Sequence, residues 1–494
     1  MKKQVYNFLA RAGIVLMLVG VIISCKKEIA ASSFHAAFKG AITRAATGPV
    51  GIWVTSGNQS KLLQQQPGVS FATDAGTNKT TITVDENTTY QSIDGFGYCL
   101  TGGSATLINQ LPTAQGDSLL HELFLNGTNQ IGVSYLRISI GASDLSASDF
   151  TYDEVPAGQT DVNLASFSIN QELADLVPVL KRILALNPNI KIIATPWTPP
   201  TWMKSNTGFV GGRLNTAYYD AYARYFVKYI QAMKAQRITI DAITPQNEPL
   251  NPNNNPSLLM YAAEEANFIK NNLGPQFQTN GITTKIIAYD HNCDHPDYPD
   301  SVFADVNANP YVNGSAFHLY AGAITALSTV HGNYPTKNLY FTEQYTSSTG
   351  SFSGDLSWHV NNLIIGAPRN WSRNVLEWNL ANDANYGPHT SGGCTNCKGA
   401  LTISGTSITR NVSYYIIAHA SKFVNPGAVR ISSNTFSGGV QDVAFKNPDG
   451  SKVLIALNTG HTSSTFKVKW GTQSFTYTLA VGDVVTFKWT GTQS

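Results

Sequence analysis

Eight short apolar segments between about residue 93 and residue 380 limit the fold of this chain more than any other feature. Most are separated by stretches in which apolar residues return every three to four positions, as in residues 173–186 and 218–235, which is the period of an amphipathic helix. The segments cover residues 93–98, 133–140, 191–195, 241–244, 285–289, 315–319, 338–342 and 374–380. Strands that alternate with helices pair in parallel, and eight of them favour closure. The sequence therefore predicts an α/β fold with a (β/α)8 barrel.

The chain after residue 427 has a different pattern. Apolar and polar residues alternate there in short runs, as in antiparallel strands with one buried face. These runs cover residues 440–446, 452–458, 465–469, 474–479 and 483–489. Residues 50–54 and 80–84, which precede the first barrel segment, also have strand character. We therefore predict a side β-sandwich domain formed by both chain ends.

At 494 residues the chain exceeds the size of a single core. We expect a lipoprotein signal peptide at 1–25, a flexible tether at 26–48 and the N-terminal strands of the sandwich at 49–90. The catalytic barrel is expected at 91–410. Residues 411–494 would then contain the last barrel helix and the C-terminal part of the sandwich.

The first 25 residues have the pattern of a targeting signal. Lys2, Lys3 and Arg11 form a basic region, and the apolar run of residues 12–23 is too short to span a bilayer. The run IISC, which ends at Cys25, resembles a bacterial lipobox; a plain secretory signal or an uncleaved anchor is the alternative. We expect an exported protein, lipid-anchored through Cys25 to a bacterial membrane, by preference the outer membrane, and facing the periplasm or the cell surface.

The charge balance argues against a nucleic-acid partner, and the spacing of the cysteines argues against a zinc site. Lys and Arg number 33 against 31 Asp and Glu, so no cationic excess favours nucleic acid. Cys394 and Cys397 lie in a Gly-flanked loop without a second pair of ligands, which favours a local disulfide or two free thiols over a zinc site. Cys99 and Cys293 are expected to be small buried hydrophobic side chains. We expect no metal and no cofactor.

Polar and aromatic residues follow the predicted strands at one end of the barrel. The interior of a barrel favours Val, Ile and Leu, so such residues cost stability and indicate a site. Any one of them alone could equally be a satisfied polar residue that closes a strand. In chain order, the groups are Gly95-Phe96-Gly97, Arg137 with Asp144, Trp197, Asn247 with Glu248, Asp290 with His291, His318 with Tyr320, Glu343, and Trp378 with Asn379.

Glu248 and Glu343 are the candidate catalytic pair. Hydrolysis of a glycosidic bond with retention needs one carboxylic acid and one nucleophilic carboxylate about 5–5.5 Å apart. We expect Glu343 to repel charge on Glu248 and so keep it protonated, and Arg137 to lower the pKa of Glu343. A carboxylate at a helix N-terminus and a buried salt-bridge partner are the structural alternatives for the two residues. The chain has no Gly-x-Ser-x-Gly sequence that would indicate a serine hydrolase.

Three other acidic or histidine clusters are weaker candidates. Glu377 would point away from Trp378 if both lie on one strand. Glu264 and Glu265 lie in a predicted helix and are expected to be solvated. His291, Asp294 and His295 could suggest a metal site, but the prolines around them favour a loop at the barrel mouth.

Four sequence runs resemble glycoside hydrolase family 30, the glucosylceramidase-like family. They are QSIDGFG at 91–97, TPWTPPTWMK at 195–204, TPQNEP at 244–249 and FTE at 341–343. The resemblance extends from about residue 50 to the C-terminus. It implies a TIM barrel with a side β-sandwich and hydrolysis with retention.

The same resemblance suggests roles for individual residues. It implies Glu248 as acid/base and Glu343 as nucleophile. Asp144, Trp197 and Asn247 would hold the sugar in the −1 subsite, and His318 and Tyr320 would line it. Arg137 and Trp378, at the ends of their strands, complete the candidate substrate-binding set.

The substrate implied is a β-glucan or β-glucoside. The sequence around 378–397 resembles bacterial members that act on β-glucans, most of all β-1,6-linked ones. A glucosylceramidase or an exo-acting β-glucosidase or β-xylosidase of the same family is the alternative. From another class, a non-catalytic surface lipoprotein that binds glycans is also open. We expect the protein to act as a monomer.

Overall fold

The computed structural model describes residues 48–76, 80–436 and 439–494. The predicted signal peptide, the lipidation of Cys25 and the tether up to residue 47 lie outside these residues. Within them, no helix combines the length and the apolar character that crossing a membrane requires.

Eight parallel strands close into a barrel, as predicted. Each strand pairs with the next along the chain, and the last strand pairs with the first. The strands are Gly95–Cys99, Tyr135–Ser139, Lys191–Thr195, Ala242–Ile243, Lys285–Cys293, Val312–Gly322, Asn338–Glu343 and Ser372–Asn379. Their carboxyl ends share one face of the barrel, where the side chains that follow the strands can meet.

Helices surround the barrel. In Leu176–Leu186 the buried residues are Leu176, Val177, Val179, Leu180 and Ile183, a spacing that places one apolar face against the strands. The other α-helices are Gly102–Gln110, Thr113–Phe124, Tyr219–Ala235, Ala262–Phe268, Gly274–Thr279, Asp297–Ala304, Ala326–Asn333, Phe352–His359, Ala367–Arg369 and Val412–Ser421. Two π-helical turns, Ile269–Leu273 and Val360–Gly366, join neighbouring helices, and short 3-10 turns cover Asn170–Leu173, Thr201–Met203, Thr216–Tyr218 and Asn309–Tyr311.

The side domain is built from both chain ends, as predicted. Strand Val50–Thr55 pairs with Val484–Trp489, and Thr80–Ser92 lies between Val429–Ser433 and Ser464–Trp470. The remaining strands of this ten-stranded sheet are Gln64–Val69, Ala72–Thr73, Val440–Lys446, Lys452–Asn458 and Gln473–Leu479. The sheet encloses its own apolar core, which contains Ile52, Ile82, Phe466, Trp470 and Phe487.

Helix Val412–Ser421 joins the two domains. His419 is fully buried, and its two ring nitrogens lie 2.8 Å from the hydroxyls of Thr55 and Thr486 in the sandwich. Burial lowers the pKa of His419 to about 3, so this contact is a neutral hydrogen-bonded one. Nearby, the ring of Trp53 packs 4.6 Å from that of Phe423.

The glycines of the first barrel strand allow its neighbour to approach closely. A Cβ atom on Gly97 would overlap the backbone of Tyr135, and one on Gly95 would lie 2.6 Å from Oγ of Ser134. The Gly-Phe-Gly run therefore serves strand packing, since side chains at these positions would separate the first two strands.

Small β elements follow the seventh and eighth strands of the barrel. Thr346–Ser347 pairs with Cys397–Lys398. A second small sheet contains Ala381–Asn382, Leu401–Ser404 and Ser407–Arg410.

Candidate active site

The barrel interior has an apolar layer and a polar layer above it. Buried in the apolar layer are Tyr135, Ile193, Ala242, Ile287, Ala316, Tyr340 and Leu376. Inward-facing side chains recur every second residue along a strand. Two positions further along six of these strands stand Arg137, Thr195, Thr244, His318, Thr342 and Trp378, all buried. The strand ends therefore present a polar and aromatic layer towards the mouth.

Glu248 and Glu343 meet above this layer. Each is 6% exposed. One carboxylate oxygen of Glu248, one of Glu343 and a ring nitrogen of His318 all lie within 4.8 Å of one another. The two residues come from separate strands, 4 and 7 of the barrel, and are brought together by its closure.

Glu248 is held in a backbone conformation that is rare for its residue type. Its φ is 44°, in the left-handed region, a conformation that costs about 1–3 kcal/mol and persists only where the surrounding structure enforces it. Its N–H donates to the carbonyl of Asp290 at 3.0 Å, and its Oε2 accepts from Nδ2 of Asn251 at 2.8 Å. Strain of this kind is typical of positions whose side chain must point in one direction.

Arg137 forms the centre of the polar layer. Its guanidinium is fully buried, donates to Oδ2 of Asp290 at 2.8 Å and to Oδ1 of Asn247 at 2.7 Å, and makes a short contact with Oε2 of Glu343. The ring of Trp197 lies 4.8 Å from its Cζ atom. Asp290 and Glu343 raise the pKa of Arg137 even though burial opposes this. The guanidinium therefore stays charged and orients three polar side chains at once.

Asp290 lies within the polar layer beneath the glutamates, a position that the sequence did not reveal. Its Oδ2 accepts from the hydroxyls of Thr195 and Thr244, and its Oδ1 accepts from that of Thr342 at 2.6 Å. Burial favours the neutral acid, but Arg137 and His318 hold the pKa of Asp290 well below its usual range. It is thus a buried, permanently charged carboxylate beneath the site.

An irregularity in the fifth strand explains why Asp290 faces inward. Alternation from Ile287 would place Tyr289 inside and Asp290 outside. Tyr289 and Asp290 instead have φ values of 75° and 64°, and the pairing register shifts here. Such a bulge reorients side chains. Asp290 had been recognised only as a residue at the end of a strand.

His318 lies between two carboxylates. Its Nδ1 is 3.1 Å from Oε1 of Glu248 and its Nε2 is 3.1 Å from Oδ1 of Asp290. Burial favours the neutral ring, but Glu343, Asp290 and Glu248 raise the pKa of His318 to about 9. Conversely, although burial favours the protonated acid, His318 lowers the pKa of Glu248 to about 2.

This result corrects the expected protonation of Glu248. Repulsion from Glu343 was expected to keep Glu248 protonated, but the imidazolium of His318 is closer and has the opposite effect. The raised pKa of His318 and the lowered pKa of Glu248 therefore favour a proton on the imidazole, whose Nδ1 lies 3.1 Å from the Glu248 carboxylate.

The pKa of Glu343 also differs from expectation. Arg137 and His318 do lower it, but burial is the largest effect and raises the pKa above its usual value. The hydroxyl of Tyr320 donates to Oε1 of Glu343 at 3.0 Å. Glu343 is therefore oriented by two donors, Tyr320 and Arg137, rather than stabilised as an anion by Arg137 alone.

Asp144, Trp197 and Trp378 lie beside the glutamates and Arg137. The two indole rings are 5.4 Å apart. Nε1 of Trp197 and Nδ2 of Asn379 are buried and have no hydrogen-bond partner among the described residues. Burial, with Glu343 and Glu248 nearby, raises the pKa of Asp144 to about 7. Unpaired buried donors beside an aromatic surface suit the hydroxyls and C–H faces of a sugar.

Two of the weaker candidates lie away from the site. Glu377 is buried and pairs with Nδ1 of His359 at 2.7 Å, behind the eighth strand. Glu264 forms an ion pair with the exposed Arg213. Glu265, expected to be solvated, is instead 1% exposed and accepts a hydrogen bond from the N–H of Tyr289. Burial raises its pKa to about 7.

The remaining candidates from the sequence are His291, His295 and the cysteines. His291 is buried near Glu248, its Nδ1 lacks a partner among the described residues, and burial lowers its pKa to about 4. His295 lies apart from it and contacts Asp297. Cys394 and Cys397 are joined in a disulfide, while Cys99 and Cys293 are buried free thiols, as expected.

Comparisons with known proteins agree with this architecture. Residues 93–424 match the family described as Glycosyl hydrolase family 30 TIM-barrel domain, and residues 427–487 match Glycosyl hydrolase family 30 beta sandwich domain. The chain is 37% identical over 407 residues to the endo-1,6-beta-D-glucanase neg1 of Aspergillus fumigatus, covering 76% of this chain and 81% of that protein. It is 29% identical over 439 residues to the putative glucosylceramidase 4 of Caenorhabditis elegans, covering 83% and 82%. The solved endo-beta1,6-glucanase BT3312 superposes with a TM-score of 0.83 at 37% identity, covering 90% of this chain and 100% of that one.

Proposed function

The chain belongs to glycoside hydrolase family 30, and from this membership we propose that it is a retaining endo-acting hydrolase of β-1,6-glucan. The observation that carries the mechanism is the approach of the two carboxylates. Oxygens of Glu248 and Glu343 lie within 4.8 Å of each other. Inverting enzymes separate their carboxyl groups by about 6.5–9.5 Å to admit a water molecule, whereas retaining enzymes need about 5–5.5 Å.

In the first step, Glu343 attacks the anomeric carbon while the bond to the leaving oxygen breaks. The proton on His318 passes through the Glu248 carboxylate, 3.1 Å away, to that oxygen, because Glu248 is 6% exposed whereas His318 is fully buried. The carboxylates stabilise the positive charge that develops on the sugar. Arg137 donates to Oδ1 of Asn247, so the NH2 group of that amide can donate to the sugar 2-hydroxyl.

In the second step, Glu248 acts as a base. Once Glu343 is esterified its negative charge is gone, and Glu248 takes a proton from water as the water attacks the anomeric carbon. The ester bond breaks, Glu343 is released as a carboxylate, and the proton returns to the pair formed by Glu248 and His318. The product keeps the β configuration.

The linkage is proposed from the relatives. The proteins at 37% identity carry the name endo-1,6-β-glucanase, and they align over 81% and 100% of their lengths. The relatives that carry the name glucosylceramidase are at 27–29% identity, so we take a glucosylceramide or a short β-glucoside as the second candidate substrate.

We also propose that the protein is exported as a lipoprotein, attached to a bacterial membrane through Cys25, by preference the outer membrane, and that it acts as a monomer. Support comes from the IISC run that ends at Cys25. Cys25→Ser should abolish incorporation of labelled fatty acid and move the protein from the membrane fraction to the soluble fraction. Unchanged labelling would contradict lipidation at Cys25. The mass of the detergent-solubilised protein, measured by sedimentation, would test whether it is a monomer.

A product profile tests the activity. The purified enzyme should release oligosaccharides of several lengths from linear β-1,6-glucan, and NMR should show the β anomer first. Glu343→Gln should lower kcat by about 10⁴-fold or more while it still binds glucan. Release of glucose alone, or hydrolysis of glucosylceramide without glucan cleavage, would overturn the endo-glucanase assignment. Binding without turnover by the wild type would indicate a glycan-binding protein.

A further inference from the structure

The loop of residues 390–398, called here the disulfide loop, connects three parts of the active-site mouth. Strand Cys397–Lys398 pairs with Thr346–Ser347, which follows the strand of Glu343. The carbonyl of Cys397 accepts from Nδ2 of Asn382 at 2.7 Å, after the eighth barrel strand. The Cys394–Cys397 disulfide then joins this anchored end to the half of the loop that contacts Asp144.

Asp144 is held by the backbone of this loop. Its carboxylate accepts from the N–H of Cys394 at 3.4 Å and also from its own N–H. Its carbonyl accepts from the N–H of Thr390 at 2.9 Å. Because these donors are backbone groups, the direction of the Asp144 carboxylate depends on where the loop backbone lies.

The disulfide loop fits against Asp144 with no space to spare. A Cβ atom on Gly393 would overlap the carbonyl of Asp144 and lie 2.7 Å from Oγ1 of Thr390. The same hydroxyl donates to the carbonyl of Asn255 at 2.8 Å, in the segment after the fourth strand. The loop is thus fixed on two sides by close contacts.

The disulfide also packs against the aromatic wall of the pocket. Cys397 is 3% exposed and belongs to one apolar cluster with Leu145, Trp197 and Trp378, against which Cys394 packs as well. The disulfide therefore belongs to the same cluster as the residue next to Asp144 and the two tryptophans beside the glutamates.

We propose that the disulfide loop is a positioning element of the active site, which holds Asp144 and the tryptophan wall in the arrangement that binds the sugar beside Glu343. Cys394 and Cys397 act as positioning residues, because their bond keeps the Cys394 N–H at the Asp144 carboxylate. This inference rests on the proposed function, since it assumes that a sugar occupies the pocket. Glu343 and Glu248 lie nearby and carry the same charge as an ionised Asp144. Because like charges repel, the Asp144 carboxylate needs the loop to keep it in place.

The loop is short, with only two residues between the cysteines, so its opening removes little constraint from the unfolded chain and the fold is expected to survive. The pocket, in contrast, would lose its geometry. Misplacement of a binding group by about 1 Å can lower the rate about 100-fold. We therefore expect Cys394→Ser/Cys397→Ser to lower kcat/KM by about 10- to 100-fold, with thermal unfolding close to that of the wild type.

The matched control is Thr395→Ala, at an exposed position between the two cysteines, which should leave kcat and KM within twofold of the wild type. A double-mutant cycle separates positioning from general damage. Asp144→Asn should cost much less in the double-serine background than in the wild type, because there the carboxylate is already misplaced. A dithiol reductant, which passes two electrons and two protons to the disulfide to give two thiols, should lower wild-type activity to the same level and leave the double-serine variant unchanged.

Two assays are run, hydrolysis of linear β-1,6-glucan and calorimetric binding of a glucose-shaped imino sugar. Equal kinetic constants and equal affinity in wild type and the double-serine variant, or effects of Asp144→Asn that simply multiply, would overturn the inference while leaving the proposed function intact. Imino-sugar binding that weakens in the double-serine variant, without any cleavage of β-1,6-glucan by the wild type, would support the inference and overturn the proposed substrate. Neither binding nor cleavage by the wild type would overturn both. If the double-serine variant fails to fold, reduction of the folded wild type gives the same comparison.

Discussion

Nδ1 of His318 lies 3.1 Å from Oε1 of Glu248, and both side chains are almost fully buried. The imidazole also contacts Asp290 at 3.1 Å, a carboxylate that Arg137 keeps charged. Two anions therefore flank the ring and favour its protonated form. Glu248, the proposed acid/base, therefore lies next to an imidazole whose raised pKa favours the protonated form.

We expect the alkaline limb of the kcat/KM profile to depend on His318. Its pKa is raised to about 9, above the unfolded value of about 6.5, so the pair keeps its proton at neutral pH and loses it as pH rises through about 9. In His318→Gln, Glu248 must hold the proton alone, and the limb should move to lower pH as activity falls. His121→Gln, at an exposed position in helix Thr113–Phe124, is the control. An unchanged alkaline limb in His318→Gln would contradict the dependence of that limb on His318.

Asp144→Asn should stabilise the fold at alkaline pH while it lowers activity. The pKa of Asp144 is about 7 in the fold against about 3.9 in an unfolded chain. Between these values the folded state binds more protons, so wild-type stability falls as pH rises, by on the order of 4 kcal/mol in total. Urea unfolding at pH 4 and pH 8 measures this. The stability advantage of Asp144→Asn should be near zero at pH 4 and largest at pH 8; an advantage that does not change with pH would refute the assignment.

Arg137→Met should destabilise the protein by about 3–5 kcal/mol, because it removes the guanidinium that pairs with both Asp290 and Glu343 inside the barrel. Adding Asp290→Asn should restore part of that loss, since one of the two carboxylates that lost the guanidinium is then neutral. Arg137→Lys should also be impaired, as an ammonium group cannot reach three acceptors in one plane. The free energy of unfolding in urea tests all three. Full stability of Arg137→Met would mean that the ion pair contributes nothing.

Gly97→Ala should cost about 3 kcal/mol of folding free energy, because its Cβ would overlap the backbone of Tyr135 in the next strand. Gly332→Ala is the matched control: apart from its chain neighbours and the backbone of its own helix, no atom lies within 4 Å of its added Cβ, and alanine is favoured over glycine in a helix by about 0.5–1 kcal/mol. Thermal unfolding of both variants gives the comparison. Equal stability of the two variants would contradict the role of Gly97 in strand packing.

The strands of the barrel and the sandwich could be predicted because each one is encoded locally. The alternation of apolar and polar residues in 440–446 and 452–458 coincides with the observed strands Val440–Lys446 and Lys452–Asn458. Glu248 and Glu343 could be located for the same reason, since Glu343 ends a short apolar strand and Glu248 lies in the turn that follows another, Ala242–Ile243. A period of two residues and a strand end are both properties of a few neighbouring positions.

The protonation of the site could not be predicted in this way. Glu248 lies 70 positions from His318 in the sequence, and its pKa depends on which charge is nearer in space. Glu265 likewise lies beside Glu264 on one helix, yet one side chain is buried and the other pairs with Arg213. Electrostatic energies add over all neighbouring charges and depend on burial, so they require the assembled barrel.

By itself, the sequence determined the eight strands, the use of both chain ends in the sandwich, the family and the two glutamates. Only the tertiary structure decided that Asp290 faces inward, that His318 holds the proton, and that the disulfide loop contacts Asp144. The reason is physical: strand formation follows from side-chain alternation over a few residues, whereas a bulge at Tyr289 and Asp290 breaks that alternation. The interactions of the charged side chains are then set by distances between segments that meet only when the barrel closes.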